Sequence, residues 1–342
     1  MENFFITDLE ECGKLWETLI RPQTISDEWE FRLCFHRHFN HKPCFLLFKD
    51  QDGIAGLVPL SYNTKREQYV FFPGEVWNGK TWLERTPVFV RRPEMFKYIF
   101  SNCPKGSYLR YIQPPQSSGA HELEIDETGY CLYPPRLGYD IQSYFDRFSN
   151  KKRKAIMKTI QLLIGSSSRY HLNRLEDFEA LVEMNIQSFG SNSYLYDQRF
   201  KNAFRDVMHL LHAKGMLRLV SLEINGKLAA IDLGALYKDT YTVFLGGTRT
   251  DMPGVAKVIN LNHIEFAFSH KISKLDFLCG DFKWKTLWHL DPEPLYLFKT
   301  PKTHSHCTAD LPHIPIPALR EYAETVNLHA PEAHFSNRVS NV

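Results

Sequence analysis

The segment GDFKWKTLWH, residues 280–289, sets an aspartate and a lysine four positions apart, with tryptophans at 284 and 288. It follows a short apolar run, KLDFLC (274–279), of strand character. The C-terminal end of a strand is where open α/β sheets place their ligands. Asp281 could there take the proton of an amine or hydroxyl nucleophile. Lys285 could stabilise a developing oxyanion or hold an anionic group, so the pair supplies what acyl transfer requires. Trp284, between them, is a candidate substrate contact. A plainer account competes with this one. Asp281 would cap a helix after Gly280, Trp284 and Trp288 would share its inward face, and Asp281–Lys285 would be a surface pair worth ~0.3–0.5 kcal/mol.

Other side chains invite the same double reading. Arg147, Lys151, Lys154, Lys158 and Gln161 form one stripe of a helix expected over 141–164, while Phe148, Ile156 and Ile160 lie towards another. The stripe is either a solvated cationic face or a surface for a phosphate-bearing substrate, with Lys151 and Lys154 as its candidate contacts. His263 shares with Lys257 and Asn260 the one polar stripe of an otherwise apolar helix expected over 255–271. It is a candidate substrate contact or a satisfied buried histidine. Cys34, His36, His38, His41 and Cys44 cluster, as do His304, His306, Cys307 and His313. Neither set has zinc-module spacing, and no metal is expected. Phe31, Cys34, Phe35 and His38 share a helical face, which points to core packing.

The elements that must position these residues are legible mainly in the second half. Helices are expected over 141–164, 175–188 and 196–213. MLRLVSLEI (216–224) then meets KLAAIDLGALY (227–237) across Asn225-Gly226, the strongest short-range hairpin signal, because both turn residues must accept positive φ. TYTVFLGG (240–247) is a third strand, TRTDMPG (248–254) a loop, 255–271 a buried helix, and 274–279 a last strand. In the first half, a helix over 25–39 precedes strands at 43–49 and 53–60 joined by DQDG. Shorter strand-like runs follow at 67–74, 86–90 and 107–113, with a helix at 93–102. Residues 113–122 read as loop, and 319–330 as a surface helix.

The order hairpin, strand, loop, buried helix, strand resembles the N-acetyltransferase (GNAT) core. More narrowly, the run from Asn225 to Trp288 resembles the acetyltransferase-like CelD/BcsL family, relatives of the FemAB-type aminoacyltransferases. That family carries Pro-Gly before the buried helix and a strand ending G-D-E-x-Y-K-x-x-W/F. Pro253-Gly254, Gly280-Asp281, Lys285 and Trp288 match here, while Phe282 replaces the acid and Trp284 the tyrosine. The resemblance spans roughly 141–290 and is faint over 25–75. It implies two acetyltransferase-like domains and an acyl donor, acetyl-CoA or another acyl-CoA, whose pyrophosphate sits on the loop and helix start. The residues implied are Arg249, Pro253, Gly254, Val255, Ala256 and Lys257, since unpaired N–H groups and the helix dipole favour phosphate there. Asp251 stands where such loops carry a basic or amide residue, and Arg249 must neutralise it if a phosphate is to bind. The acceptor implied is an amine or hydroxyl of a sugar, polysaccharide precursor or small molecule. Two alternatives stay open: a FemAB-like aminoacyltransferase docking tRNA on the basic helix, and a non-catalytic binding protein that keeps the fold.

Composition bounds the rest. In 342 residues, 43% are apolar and 14% aromatic, so the chain folds. Lys and Arg number 41 against 39 Asp and Glu, which offers no global attraction for nucleic acid or anionic membranes. Seven scattered cysteines without a CxxC pair suit a reducing compartment. With no apolar run long enough to span a bilayer and no signal-like start, the expectation is a cytoplasmic protein without membrane insertion. The fold class expected is α/β with a mixed α+β sheet, as two tandem GNAT-like domains. Their expected bounds are 1–138 and 139–315, with a tail over 316–342.

Overall fold

The computed structural model describes residues 1–115, 123–165 and 167–302. The chain opens with β1 (Glu2–Ile6), α1 (Leu9–Leu19), α2 (Trp29–Phe39), β2 (Lys42–Pro43), β3 (Phe45–Asp50) and β4 (Gly53–Val58). Next come β5 (Leu60–Asn63), β6 (Gln68–Phe71), β7 (Val76–Trp77), β8 (Lys80–Thr81), β9 (Phe89–Val90) and α3 (Met95–Ser101). Strands β10 (Tyr108–Ile112) and β11 (Glu124–Leu132) precede α4 (Ile141–Phe145), α5 (Asn150–Ile164) and β12 (Ser168–Leu172). Two helices, α6 (Phe178–Phe189) and α7 (Gln198–Ala213), lead into β13 (Leu217–Ile224), β14 (Lys227–Tyr237) and β15 (Thr240–Thr248). The last elements are α8 (Val255–Ser269), β16 (Lys274–Cys279), α9 (Lys283–Leu287) and β17 (Asp291–Lys299).

The fold is mixed α/β. A four-stranded sheet (β1-β3-β4-β9) and a three-stranded one (β2-β5-β6) form the N-terminal part, beside a larger sheet ordered β10-β17-β11-β16-β15-β14-β13-β12. The Asn225-Gly226 hairpin forms as expected, with φ of 50° and 73° at its two turn residues. The 255–271 helix forms over Val255–Ser269 and buries Val258, Ile259, Leu261, Ile264 and Phe268 between the large sheet and α5. The helix expected over 141–164 is broken instead. Ser149 leaves helical geometry (ψ 146°), its hydroxyl accepts the Lys152 N–H, and the chain restarts as α5. An N-cap of this kind satisfies a first-turn donor that a continuous helix would have left to the preceding turn.

Dividing the chain at 138/139 does not divide the large sheet. β10 and β11 lie N-terminal to that point, yet β11 runs between β16 and β17, and β17 pairs with β10. β17 goes unnoticed in sequence because of Pro292 and Pro294, which cannot donate to a ladder. They are tolerated because the 291–295 segment pairs only with β11; β10 joins further along, at Tyr296–Lys299. The two parts also share a core. Phe31, Phe35 and Trp82 from the N-terminal side pack edge-on against Phe204 or Phe244. Cys34 joins the same core, as its helical face predicted. Among the described residues, no helix is long and apolar enough to cross a membrane. The histidines at 304, 306 and 313, Cys307, the expected helix at 319–330 and the tail from 316 lie outside the described residues.

Candidate functional site

β15 and β16 are parallel neighbours, but their register runs only from Thr240↔Lys274 to Thr242↔Asp276. Beyond that point the strands lose their pairing, and a pocket opens there. Thr242 and Phe244 of β15 and Asp276 and Leu278 of β16 line it, with Glu84 and Arg85 from the N-terminal part. A bulge accompanies the opening: Leu233 pairs Leu245 but Gly234 pairs Val243, so Phe244 is the extra residue. Bulges bend a strand and re-aim its side chains, and they concentrate beside active sites. Asn185 of α6 fixes the far half of β15 by donating from Nδ2 to the Gly246 carbonyl at 2.6 Å. Gly246 and Gly247 are required by space: a Cβ would sit 2.6 Å from an Asp232 Oδ1 in one case and 2.8 Å from the Leu181 carbonyl in the other.

The pocket wall holds a buried ionic cluster. Arg85 Nη1 lies 3.0 Å from Asp276 and 3.3 Å from Glu84, and its Nη2 lies 3.2 Å from Glu293. Lys274 stands 3.5 Å from Asp276 and 3.4 Å from Glu293, which also accepts the Tyr133 hydroxyl. Burial pushes the Asp276 carboxyl up, but Arg85 and Lys274 more than offset it and hold it below the usual range. Burial wins at Glu84, whose carboxyl is pushed up despite Arg85. Glu84 also accepts the Cys279 N–H at 2.5 Å and so ties the N-terminal part to the end of β16. None of Glu84, Arg85 or Tyr130 stood out in sequence, because their segments carry no periodicity. An aspartate in the middle of KLDFLC was a visible signal, since an acid inside a buried strand needs a partner.

The two residues at the end of β16 part company. Lys285 is 2% exposed, and its ammonium donates to three successive carbonyls: Phe277 at 3.0 Å, Leu278 at 2.9 Å and Cys279 at 2.7 Å. Leu278 has φ of 59°, and there the strand curls so that these carbonyls converge. Rings of Tyr130, Phe282 and Trp284 surround the ammonium at 5.1–5.8 Å. Burial pushes the amine down, partly countered by Glu84. A lysine has three donors, so Lys285 has none left for an oxyanion or a substrate. In this geometry the ammonium clamps the strand end, where the sequence reading has it as an oxyanion donor. Asp281 remains exposed and accepts the Tyr130 hydroxyl at 2.9 Å. It neither pairs with Lys285 nor caps α9, whose N-cap is Phe282, because the extended Phe282 (ψ 125°) stands between it and the helix. Trp284 is half-buried, 5.3 Å edge-on to Phe277, and Trp288 is fully buried, so the two pack inward as the plainer account expected.

α8 begins at the same end of the sheet. Gly254 is its N-cap with φ of 94°. In the first turn Val255 N–H reaches Met252 and Lys257 N–H reaches Gly254, while Ala256 N–H has no acceptor in the preceding loop. Pro253 and Ala256 are exposed. Arg249 forks onto Asp251, Nε to Oδ1 at 2.9 Å and Nη2 to Oδ2 at 2.6 Å, and the hydrogen bonds from Arg249 hold the Asp251 carboxyl below its usual range. Small residues, a free amide and the dipole thus fit a phosphate, and Arg249 neutralises Asp251 as that requires, at the expense of its own donors. α5 lies close by: a Cβ on Gly254 would stand 2.6 Å from Thr159 Cγ2. Lys151 and Lys154 are exposed on the outer side of α5 and do not line the pocket.

His263 is wholly buried on the other face of the sheet. It lies 2.8 Å from Asp232 through Nε2 and 2.8 Å from the Tyr241 hydroxyl through Nδ1. Both nitrogens are engaged, which is the satisfied-histidine reading and leaves none for substrate. His38, from the first histidine cluster, lies 2.9 Å from Asp206 of α7.

Residues 150–286 match the family described as acetyltransferase (GNAT) domain, and the strand–α8–strand unit just described falls inside that span. Among solved structures, a conserved protein of unknown function from Bacteroides thetaiotaomicron VPI-5482 aligns at 13% identity with a TM-score of 0.53, covering 86% of this chain and 97% of that one. FemX aligns at 8% identity with a TM-score of 0.52, covering 87% and 97%. A tandem GNAT protein from the clavulanic acid biosynthesis pathway aligns at 9% identity with a TM-score of 0.48, covering 86% and 96%. No curated protein matches the sequence. At such identities the likeness concerns the fold, which is of the GNAT-like mixed α/β kind.

Proposed function

We propose that this protein is an acyltransferase of the CelD/BcsL kind. It moves an acetyl or longer acyl group from an acyl-CoA to an amine or hydroxyl of a sugar, polysaccharide precursor or small molecule. The observation that carries the reading is the loss of pairing between β15 and β16 beyond Thr242 and Asp276, at the sheet end where α8 begins. An extended pantetheine arm would enter between the strands, with its pyrophosphate over Gly254, Val255, Ala256 and Lys257. The nucleophile would attack the thioester carbonyl, its bond to carbon forming as the C–S bond breaks and CoA leaves as a thiolate that takes up the proton the nucleophile gave away. That proton would pass first to Asp281, the exposed carboxylate two residues past the end of β16, oriented by Tyr130. Glu84, Arg85 and Asp276 would shape the acceptor side. In this reading the 1–138 and 139–315 portions act as two GNAT-like units sharing one sheet.

Arg249 neutralises Asp251, as phosphate binding here requires, but its fork is then spent and gives the pyrophosphate no contact of its own. That favours a second reading, transfer from an aminoacyl-tRNA, in which no CoA pyrophosphate need bind. Thermal-shift titration with acetyl-CoA, CoA and longer acyl-CoAs separates the two. Saturable stabilisation by an acyl-CoA, lost in Ala256→Glu, supports the donor site. Ala256 is the position of choice because it is exposed and an acid in the first turn favours the helix itself, so loss of binding cannot be blamed on unfolding. Stabilisation by tRNA alone, weakening with salt, would replace the first reading by the second.

A further inference from the structure

The outer side of α5 carries Lys151, Lys154 and Lys158, opposite the buried Ile156 and Ile160. These lysines and Lys152 are exposed, and none has a carboxylate within 4 Å among the described residues. The stripe ends at Leu162, which is 75% exposed, the most of any large apolar side chain described. The neighbouring strand β12 is the free edge of the large sheet. Its Tyr170 and Leu172 pair with Leu222 and Val220, whose side chains belong to the core that also holds Ile156 and Ile160, so they share the α5 face. They are 41% and 56% exposed. Arg169 on the same strand is exposed as well.

We infer that the α5–β12 corner is a peripheral docking surface for an anionic lipid bilayer. Unpaired lysines in a row supply attraction to anionic headgroups, and Leu162, Tyr170 and Leu172 supply apolar groups that enter the headgroup boundary. Lysine stems can lie along the apolar zone with their ammonium groups in water. Of the apolar groups on this surface two are aliphatic leucines and Tyr170 alone offers a base a ring to stack on, which disfavours a nucleic acid. A second copy of the chain would bring like-charged lysines together, which disfavours self-association through this corner. Peripheral attachment of this kind needs no spanning helix, and it does not depend on the acyl donor or acceptor.

The test is co-sedimentation of the full chain with phosphatidylcholine vesicles, with and without phosphatidylglycerol. Expected is binding only to the anionic vesicles, weakening with salt. The triple variant Lys151→Glu, Lys154→Glu, Lys158→Glu should lose on the order of 100-fold in partitioning. Leu162→Ser should weaken binding severalfold while keeping its salt dependence. Both variants alter exposed positions, and unchanged circular dichroism and thermal midpoint confirm folding. Absence of binding to anionic vesicles overturns the inference, as does binding that the triple variant retains. A Leu162→Ser protein that binds as well as wild type, with tRNA displacing the vesicles, overturns it too and marks the stripe as a general polyanion surface.

Discussion

Removing the Lys285 ammonium tests the structure where it departs most from the catalytic expectation. Lys285→Met keeps the stem and deletes the charge, leaving the carbonyls of Phe277, Leu278 and Cys279 without their shared donor. Each buried polar group stranded in this way costs about 1–3 kcal/mol. Three would total up to ~9 kcal/mol, less the several kcal/mol regained because no ammonium has to be desolvated. The net expectation is a loss of ~3–5 kcal/mol, read as a lower urea midpoint by tryptophan fluorescence and circular dichroism. Lys283→Met, two residues away and exposed, is the control and should stay within ~0.5 kcal/mol. The pH dependence adds a signed check. The folded amine titrates below its ordinary value of 10.5, so just below that value the unfolded chain binds more protons. Wild-type stability relative to Lys285→Met should therefore rise with pH in that alkaline window. A Lys285→Met protein within ~0.5 kcal/mol of wild type would refute the clamp and return Lys285 to the list of catalytic candidates.

Further predictions follow from the geometry around the site. Glu84 titrates above the usual carboxylate range in the folded protein, so stability should fall as pH rises from the ordinary glutamate value through the raised one. Glu84→Gln should flatten that descent in pH-dependent urea titrations. Gly254→Ala meets both a φ of 94° and Thr159, and should lose ~1–2 kcal/mol; adding Thr159→Ala should recover the steric part but not the backbone part, by thermal unfolding. Gly226→Ala, at φ 73° with open space around it, should cost ~1 kcal/mol by backbone strain alone. Asp251→Ala frees Arg249 and should tighten acyl-CoA binding by calorimetry, whereas unchanged binding would show that Arg249 plays no part in it.

The sequence by itself determined what depends on neighbours along the chain. Asn225-Gly226 fixed the β13–β14 hairpin because the turn type demands positive φ at both positions. The apolar surround of 255–269 fixed a buried helix, and Pro253-Gly254 fixed its start. From these alone the strand–helix–strand unit around the cleft was legible. Tertiary structure decided what depends on partners far away in sequence. β11 enters the large sheet beside β16 and β17 beside β11, although Pro292 and Pro294 argue against a strand until one sees that β10 joins only beyond them. Glu84 and Arg85 reach the pocket across some 190 residues to meet Asp276 and Cys279. Asp281 and Lys285 look alike in sequence, four apart and oppositely charged. Only the curl at Leu278 and the short, late start of α9 turn one to the surface and the other inward onto three carbonyls. Local propensity sets the elements, but the desolvation of a charge is settled by which groups the packed chain brings to it, and spacing does not encode that.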